Sequence, residues 1–369
     1  MVIILLSLIF IRPFISSLAF PYLNSIYSAF FMGFLIFWGI IKRFSIRRIQ
    51  PLRYSLILFC LALIISVVFS LNKLNSFKEI YKYTGGLLLF LIAASLDDDD
   101  KMCVIRTLVL SGFIISLLAI YQYFFGFQHI LNYIAKENII NTFVLDYVAR
   151  KRVFFPFVTP NTLAGYLAMI IPIALSCKNK ILFIIPLSLA LLLTKSLGAL
   201  LSLFFALGFY FYLQGKFKKR GIILLLGLLV TIALTFLVRS TAQRQHLQPI
   251  FSTVMRLNYW KDTLEIIKAK PLTGVGIGNF NLPLSRYAHN SYLQIWAEMG
   301  IIGIVSFVWL VVDIFKNIIN TIKTSPQNNL IVALISANVV FLVHNLVDFT
   351  FFLPEVAIIY WVTLGCIIP

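Results

Sequence analysis

The sequence predicts an all-α polytopic membrane protein with about twelve transmembrane helices and a helical outer loop. Hydrophobic residues make up 60% of the 369 residues and charged residues only 12%, and the mean hydropathy is +0.95. This composition is far from that of a soluble domain. Apolar runs long enough to cross a bilayer, about 20 residues each, recur along the whole chain. We therefore expect a single integral membrane domain over residues 1–369.

Twelve hydrophobic segments are candidate spans. In chain order they are residues 2–20, 24–41, 54–72, 84–96, 103–122, 161–177, 181–194, 197–214, 221–238, 296–315, 329–345 and 350–368. The first segment lacks a basic start and a small-residue cleavage site. We interpret it as an uncleaved span rather than as a signal peptide.

Basic residues cluster between the spans that alternate to one side of the membrane. They are Lys42, Arg43, Arg47, Arg48, Arg53, Lys178, Lys180, Lys216, Lys218, Lys219 and Arg220. The positive-inside rule makes this side cytoplasmic, so two longer polar segments, 123–160 and 239–295, are expected outside. Both are basic, and the net charge of +18 fits lipid headgroups and an anionic ligand rather than nucleic acid. The Asp97–Asp100 run is interpreted as a solvated turn.

Segment 239–295 is predicted to be an extracytoplasmic loop that carries the active site. Within it, Met255–Ala269 is predicted to be an amphipathic helix that Pro271 ends. Its apolar face would contain Leu257, Trp260, Leu264 and Ile267. The glycine-rich segment 274–280 then forms a tight turn, where small residues let a ligand or a neighbouring chain approach closely. Its GxGxG spacing and the absence of a βαβ pattern argue against a nucleotide site.

His289 precedes the span that begins near Trp296, so we expect its imidazole at the outer membrane–water boundary. There it could act as a base or as a donor to an anion, and helix capping is the alternative. Nearby arginines and the backbone N–H groups of a glycine turn suit phosphate oxygens. The candidate catalytic residues are His289 and Arg256. The candidate substrate-binding residues are Arg286, Lys195, Arg244, Asn290, Gly276 and Gly278.

Three further polar positions border the predicted spans. The segment Val158–Tyr166 has Pro160 at a helix start, which is consistent with capping or with lining a site. Lys195 lies between two apolar helices, where an unpaired charge is expensive, so it either reaches the surface or faces a polar cavity. His344 and Asp348 close the eleventh span. They form either a local packing contact or part of the site.

Five motifs together resemble the O-antigen ligase and polymerase superfamily, bacterial membrane glycosyltransferases that move glycans from a polyprenyl pyrophosphate carrier. The motifs are PNTLAGYL at 160–167, Arg256 ahead of Tyr259-Trp260, PLTGVGIGNF at 271–280, AHNSYLQIWAEMGIIG at 288–303 and HNLVDF at 344–349. The resemblance covers most of the chain from about Phe157 onward. It implies a GT-C-like fold in the bacterial inner (plasma) membrane, with an active site facing the periplasm or exterior. Family members often carry Ser-Arg-Gly where this chain has Ser196-Leu197-Gly198.

The resemblance implies that the protein transfers a glycan from an undecaprenyl-pyrophosphate carrier to an acceptor hydroxyl or amine. Such transfer builds cell-surface polysaccharides, including lipopolysaccharide. Arg256 and His289 match the family's loop arginine and histidine, which engage the pyrophosphate and the acceptor without a metal or another cofactor. Direct displacement would invert the sugar linkage. The implied partners are a lipid-linked oligosaccharide donor, membrane lipids and a glycan, lipid-core or protein acceptor, the last as in a protein O-oligosaccharyltransferase.

The alternative function is a secondary transporter of a small anion, because basic residues facing a cavity between helices would suit one. Transporters often show paired repeats and broken helices near the middle of the membrane. Here no repeat is evident and the polar residues gather at one face, which favours the enzyme. A metal-dependent transferase is not expected, since Mg²⁺ prefers oxygen ligands and carboxylates are scarce near the site. They are Asp262, Glu265 and Glu298.

Overall fold

A computed structural model describes residues 1–42, 46–137, 142–215, 219–241, 248–324 and 329–368. These residues form seventeen α-helices and no β-strand. The helices are α1 (Val2–Ile11), α2 (Pro21–Lys42), α3 (Ile46–Ile49), α4 (Arg53–Val68), α5 (Lys73–Glu79), α6 (Tyr81–Ser95), α7 (Asp98–Tyr121), α8 (Phe127–Glu137), α9 (Thr142–Ala149), α10 (Pro160–Ala174), α11 (Lys180–Thr194), α12 (Leu197–Leu213), α13 (Lys219–Ser240), α14 (Pro249–Ala269), α15 (Ser291–Thr324), α16 (Asn329–His344) and α17 (Pro354–Ile367). The all-helical part of the predicted fold class is therefore confirmed.

Five helical segments are both long enough and apolar enough to cross a membrane. They are Pro21–Lys42, Gln50–Val68, Asp98–Glu137, Gly221–Ser240 and Ser291–Ile319. Shorter apolar helices occur at Val2–Phe14, Pro160–Ala174, Lys180–Thr194, Leu197–Leu213, Asn329–His344 and Pro354–Ile367. Each of the twelve predicted spans overlaps a helix, and the protein is a multi-pass membrane protein. The number of spans and the outer position of the 239–295 loop stay predictions.

The chain forms two compact units, each assembled from three chain segments. The first unit contains Met1–Asn24, Met102–Ser252 and Ser336–His344. The second contains Ser25–Lys101, Thr253–Ile335 and Asn345–Pro369. The single domain predicted over residues 1–369 stays a prediction.

Helix α10 forms the centre of the first unit, where it packs against α11 and α12. Almost all of its side chains are buried. Thr159 caps the helix, because its hydroxyl oxygen accepts a hydrogen bond from the Thr162 N–H at 3.2 Å. Pro160 occupies the first turn, where its missing N–H leaves no unmade bond. The helix start predicted from the PNTLAGYL motif is therefore confirmed.

An aromatic cluster joins the helices of the second unit. Phe59 of α4 contacts Tyr83 of α6 and Phe307 of α15, and these two rings in turn contact Phe351 in the turn before α17. The ring centroids are 5.3 to 6.4 Å apart. Helix α4 packs along α15, and α6 packs along α17. Gly86 allows α6 and α17 to pack closely, because a Cβ atom at this position would collide with the indole of Trp361.

Helix α15 is broken at Gly300, which has φ 67° and ψ −171°, a conformation that is essentially restricted to glycine. The break changes the hydrogen-bond partners on both sides. The Ile301 N–H donates to the Pro271 carbonyl at 2.8 Å instead of continuing the helix. The Ala297 carbonyl then accepts from the Val275 N–H at 2.9 Å. The glycine-rich segment is thus bonded to the broken helix.

Replacing Gly300 with alanine is expected to destabilise the protein by more than about 2 kcal/mol. The backbone conformation is strained for any other residue, and the new Cβ atom would collide with the Leu272 carbonyl. Gly227→Ala in α13 is the control, because no atom lies within 4 Å of its added Cβ. Thermal unfolding of both purified variants in detergent checks this expectation. A Gly300→Ala midpoint equal to that of Gly227→Ala would contradict it.

Candidate active site

Helix α14 confirms the helix predicted over Met255–Ala269 and begins earlier, at Pro249. The predicted apolar face is only partly the buried one. Ile267 is 4% exposed, whereas Leu257 is 53% and Leu264 is 41% exposed. The side chains of the predicted apolar face therefore differ in burial, which helical spacing alone does not predict.

A small hydrophobic core joins the end of α14, the following loop and the start of α15. Its buried members are Ile267, Phe280, Leu282, Ala288 and Ala297, with Tyr259, Ile266, Leu293 and Trp296 packed against them. We call this set the loop core. It places the residues just before α15, including His289, against helix α14.

The glycine-rich segment uses its backbone N–H groups within the protein. The Gly276 N–H donates to the Glu298 carbonyl at 2.9 Å, and the Ile277 N–H donates to the Ser66 hydroxyl at 3.1 Å. The Gly278 N–H bonds the carboxylate of Glu298. These bonds tie the segment to α4 and α15.

Gly276 and Gly278 also allow a close approach of helix α5 and the residues before it. Both have positive φ, 98° and 74°. An added Cβ would lie 2.5 Å from Ser70 Cβ at Gly276 and 2.6 Å from Glu79 Cγ at Gly278. The structure therefore shows a neighbouring chain segment at both glycines, and their predicted contact with an anion stays a prediction.

Asn290 begins helix α15. Its side-chain oxygen accepts hydrogen bonds from the backbone N–H groups of Tyr292, at 3.0 Å, and Leu293, at 3.1 Å. This is the geometry of an N-cap, which satisfies donors that the first turn leaves unpaired. The structure shows Asn290 as a capping residue, and its contact with substrate stays a prediction.

The HNLVDF motif also contacts the first residue of α15, Ser291. The Ser291 N–H donates to the Asn345 carbonyl at 2.9 Å, and the Ser291 hydroxyl donates to the Asn345 side chain at 2.6 Å. Asn345 also accepts from the Phe351 N–H at 2.9 Å. Within the second unit, this motif therefore positions the chain next to His289. His344 is buried in the first unit.

His289 itself lies between two aromatic rings. It stacks on Tyr259, with ring centroids 5.4 Å apart and planes at 20°, and meets the ring of Phe349 edge-on at 4.8 Å. Its backbone is left-handed, with φ 52°, which is uncommon for a residue other than glycine. Its Nδ1 atom is buried and has no hydrogen-bond partner among the described residues. Both aromatic partners belong to motifs that carried the sequence resemblance, but the sequence assigned neither a role.

Burial lowers the pKa of His289 to about 4. Asp348 opposes this shift, because a nearby negative charge favours the imidazolium, whereas Arg256 adds to it. The imidazole is therefore neutral at neutral pH and can accept a proton. An anion bound beside it would raise its pKa again for the same electrostatic reason.

Arg256 lies on α14 one turn before Trp260. The Arg256 Nε–H and the Trp260 and Trp296 indole N–H groups are buried without a hydrogen-bond partner in the part of the chain that the structure describes. Buried donors are normally paired. Arg256 and Trp260 share a helix face, since they are four residues apart. The structure thus brings together Arg256, His289 and donors that suit acceptor oxygens.

Arg286 belongs to a charged group that the sequence analysis did not find. It donates to Glu79 at 3.3 Å, and Glu79 also pairs with Lys82. Glu298 accepts from the Gln294 amide at 3.0 Å, and these groups line a cavity of only about 20 Å³. The predicted topology contained one signal for this group. Glu79 and Lys82 lie in the loop between predicted spans 54–72 and 84–96, and the alternation of spans across the membrane places this loop on the same side as the 239–295 loop.

Lys195 belongs to the first unit, where it ends helix α11 in a left-handed conformation with φ 53°. Its ammonium group donates to the Arg150 carbonyl at 2.8 Å and lines a cavity. Of the two interpretations left open by the sequence, the structure supports the polar cavity. Arg244 lies outside the described residues.

A family comparison now adds to this geometry. Residues 182–308 match the family model of the O-antigen ligases. The match confirms the predicted resemblance to the O-antigen ligase and polymerase superfamily and implies a membrane glycosyltransferase-like enzyme that acts in polysaccharide assembly. No curated protein is similar in sequence to this chain.

The O-antigen ligase match is narrower than the resemblance predicted from the sequence. It contains all eight candidate site residues. They are Lys195, Arg244, Arg256, Gly276, Gly278, Arg286, His289 and Asn290. The motifs at 160–167 and 344–349 lie outside the matched residues, so their roles rest on the contacts described above.

The pKa of His289 predicts a loss of stability in acid. Because the histidine has a pKa of 6.5 when unperturbed and about 4 in the folded protein, the unfolded chain takes up the proton first as the pH falls. Stability present above pH 6.5 is therefore lost between pH 6.5 and about 4, on the order of 3 kcal/mol. Thermal unfolding at neutral pH and inside this window should show a smaller fall for His289→Gln than for wild type. Equal falls would contradict the assignment.

Substitutions at Asn290 test its capping role. Asn290→Ala is expected to lower the free energy of unfolding by about 1 kcal/mol, and Asn290→Ser by only a few tenths, because serine also caps helices. Denaturation of the purified variants measures this difference. If Asn290→Ser is as unstable as Asn290→Ala, the side chain stabilises the protein by something other than the cap.

Proposed function

We propose that the protein transfers a glycan from an undecaprenyl-pyrophosphate carrier to an acceptor hydroxyl or amine, without a metal and with inversion of the sugar linkage. The observation that carries this proposal is a neutral, partly buried His289 under the influence of Arg256, inside the segment that matches the O-antigen ligases. The proposed site faces the periplasm or exterior of the bacterial inner membrane.

The proposed reaction is a single displacement. The acceptor oxygen or nitrogen attacks the anomeric carbon as the bond from that carbon to the pyrophosphate oxygen breaks. The acceptor proton passes to His289, and the bonding electrons leave with the carrier pyrophosphate. Because attack and departure occur on opposite faces of the sugar, the anomeric configuration inverts.

His289 is suited to take the acceptor proton only when the donor is bound. A base with a pKa of about 4 is neutral at physiological pH but binds a proton weakly. Negative charge on a bound pyrophosphate raises the pKa of the imidazole toward the operating pH, where general-base catalysis is most efficient. Because Nδ1 is buried, the proposal assigns the transfer of the acceptor proton to the other ring nitrogen, Nε2.

Arg256 is proposed to stabilise the negative charge that grows on the leaving group. A guanidinium group offers several fixed N–H donors that match phosphate oxygens, and its Nε–H has no partner among the described residues. Charge stabilisation by fixed donors needs no metal ion. The other candidate residues keep their predicted substrate-binding role as part of this proposal. They are Arg286, Lys195, Arg244, Asn290, Gly276 and Gly278.

The donor in this proposal is a lipid-linked oligosaccharide, and the acceptor is a second glycan, a lipid core or a protein side chain. These acceptors distinguish a polymerase, a ligase and a protein O-oligosaccharyltransferase. All three reactions use the same chemistry at the anomeric carbon.

Transport of a small anion is the second candidate function, and the cavity beside Lys195 favours it. Purified protein in sealed vesicles would then take up phosphate without transferring a glycan. Transfer without uptake supports the enzyme.

Removing His289 or Arg256 is expected to abolish most of the transfer activity. His289→Ala should lower the rate about 10²- to 10⁴-fold, as loss of a general base does. Arg256→Ala should lower it about 10²- to 10³-fold through lost charge stabilisation. The assay measures glycan transfer from lipid-linked donor in proteoliposomes. Lys268→Ala, which removes an exposed cation paired with Glu265, is the matched control. Full activity in both His289→Ala and Arg256→Ala would rule out the proposed site.

A further inference from the structure

Two buried side chains on the first turns of α15 link the glycine-rich segment to the chain that carries His289. Gln294 and Glu298 lie four residues apart, on one face of the helix, and each is only 3% exposed. The Gln294 amide nitrogen donates to a carboxylate oxygen of Glu298 at 3.0 Å, and the Gln294 side-chain oxygen accepts from the Ala288 N–H at 3.2 Å. The Glu298 carboxylate also accepts from the Gly278 N–H. We call Gln294 and Glu298 together the Gln294 bridge.

The hydrogen bonds of the Gln294 bridge determine which way the Gln294 amide points. A side-chain amide has one end that accepts hydrogen bonds and one end that donates them, and the Ala288 N–H can only donate. The Gln294 oxygen therefore faces Ala288, and the Gln294 nitrogen needs an acceptor on its other side. Glu298 supplies this acceptor, since carboxylate oxygens accept hydrogen bonds. Without Glu298, the amide would lose the bond that holds its orientation.

Gln294 also satisfies a buried backbone donor beside His289. Ala288 is 0% exposed and belongs to the loop core. A buried N–H without a partner is costly, so the loss of Gln294 would force the chain at Ala288 to shift toward another acceptor. His289 follows directly with φ 52°, and such a conformation persists only where the surrounding structure imposes it. The shift would therefore move the imidazole out of its stack on Tyr259.

The space beside the Gln294 bridge is too small for a sugar. Gln294 and Glu298 line a cavity of about 20 Å³ together with Glu79 and Lys82. One water molecule fills a cavity of this volume, whereas small-molecule sites have about 300 to 1,000 Å³. The two side chains of the bridge consequently act on neighbouring groups of the protein and not on a substrate.

We propose that Gln294 and Glu298 are positioning residues for His289. Gln294 holds the backbone beside the imidazole, and Glu298 holds the Gln294 amide. The effect of the bridge on the place of the ring needs no substrate, whereas its effect on catalysis rests on the proposed function, in which His289 takes the acceptor proton. A misplacement of about 1 Å can lower a rate about a hundredfold. The bridge would thus control the rate of transfer without contacting either substrate.

Replacing Gln294 with methionine tests the proposal, because methionine is similarly long and flexible but does not form the two strong hydrogen bonds of the amide. Steady-state glycan transfer by the full-length protein in proteoliposomes gives kcat and KM for the lipid-linked donor. In Gln294→Met, kcat should fall about 10- to 100-fold while KM stays within about twofold of wild type. Gln128→Met is the matched control, because the Gln128 amide bonds the exposed side chain of Asn132. Its kcat should equal that of wild type.

Exchanging the two side chains of the bridge gives the sharpest test. Gln294→Glu leaves two carboxyl groups facing each other, and Glu298→Gln leaves a single oxygen for two donors, so each single variant should lower kcat. In the double variant Gln294→Glu/Glu298→Gln, the new carboxylate accepts from the Ala288 N–H and from the new amide, whose oxygen accepts from the Gly278 N–H. All three hydrogen bonds are restored, and kcat should return to within about threefold of wild type. A double variant no more active than the weaker single variant would overturn the proposal.

The position of the His289 ring can be measured without glycan transfer. Diethyl pyrocarbonate acylates a neutral imidazole, and mass spectrometry of the peptide that carries His289 gives the rate of this modification. The stack on Tyr259 and the edge-on contact with Phe349 shield the ring, so Gln294→Met should raise the rate several-fold. The double variant and Gln128→Met should react as wild type does.

The two measurements distinguish a failure of this proposal from a failure of the proposed function. If wild type transfers no glycan, but Gln294→Met speeds the modification of His289 and the double variant reverses the change, the proposed function fails and the positioning role stands. An unchanged rate of modification in Gln294→Met would overturn that role. So would a loss of transfer that only matches the unfolded fraction of the variant, as thermal unfolding measures it. Glu298→Gln and its rescue by the double variant decide the matter if Gln294→Met does not fold.

Discussion

The break in α15 at Gly300 is the constraint on which the second unit depends. In a continuous helix the Ala297 carbonyl would accept from the Ile301 N–H. Here Ile301 donates to Pro271 and Val275 donates to Ala297, so the glycine-rich segment replaces part of a helical turn. The chain between this segment and α15 is consequently fixed at both ends. His289 lies in that chain, and its left-handed backbone persists because the loop core, the Asn290 cap and Asn345 together hold it.

The position of His289 determines its chemistry. Enclosure by Tyr259 and Phe349 removes water from the ring and keeps the imidazole neutral, and Arg256 acts in the same direction. The same enclosure makes the ring sensitive to a new negative charge, since electrostatic interactions strengthen where water is excluded. In the proposed reaction the donor therefore supplies both the leaving group and the charge that activates the base.

Sequence reasoning predicted the helices, the start of α10 and the loop between α14 and α15, because hydropathy, capping residues and glycine leave strong local signals. It failed where the answer depends on tertiary contacts. Leu257 and Leu264 are exposed whereas Ile267 on the same helix is buried, and helical spacing alone does not distinguish them. Glu79 and Lys82 are distant from Arg286 in sequence, and Arg150 to Arg152 are distant from Lys195. No spacing rule connects them. The motif around Asn345 was recognised, but its hydrogen bonds to Ser291 required coordinates.

The dependence of the single-turnover transfer rate on pH tests the central claim most directly, because it reports the protonation of the base in the donor complex. The account predicts that the wild-type rate falls on the acid side as one group takes up a proton. It also predicts that His289→Ala retains a low rate without this acid limb. A variant with the same acid limb as wild type would show that another group accepts the proton and would contradict the account.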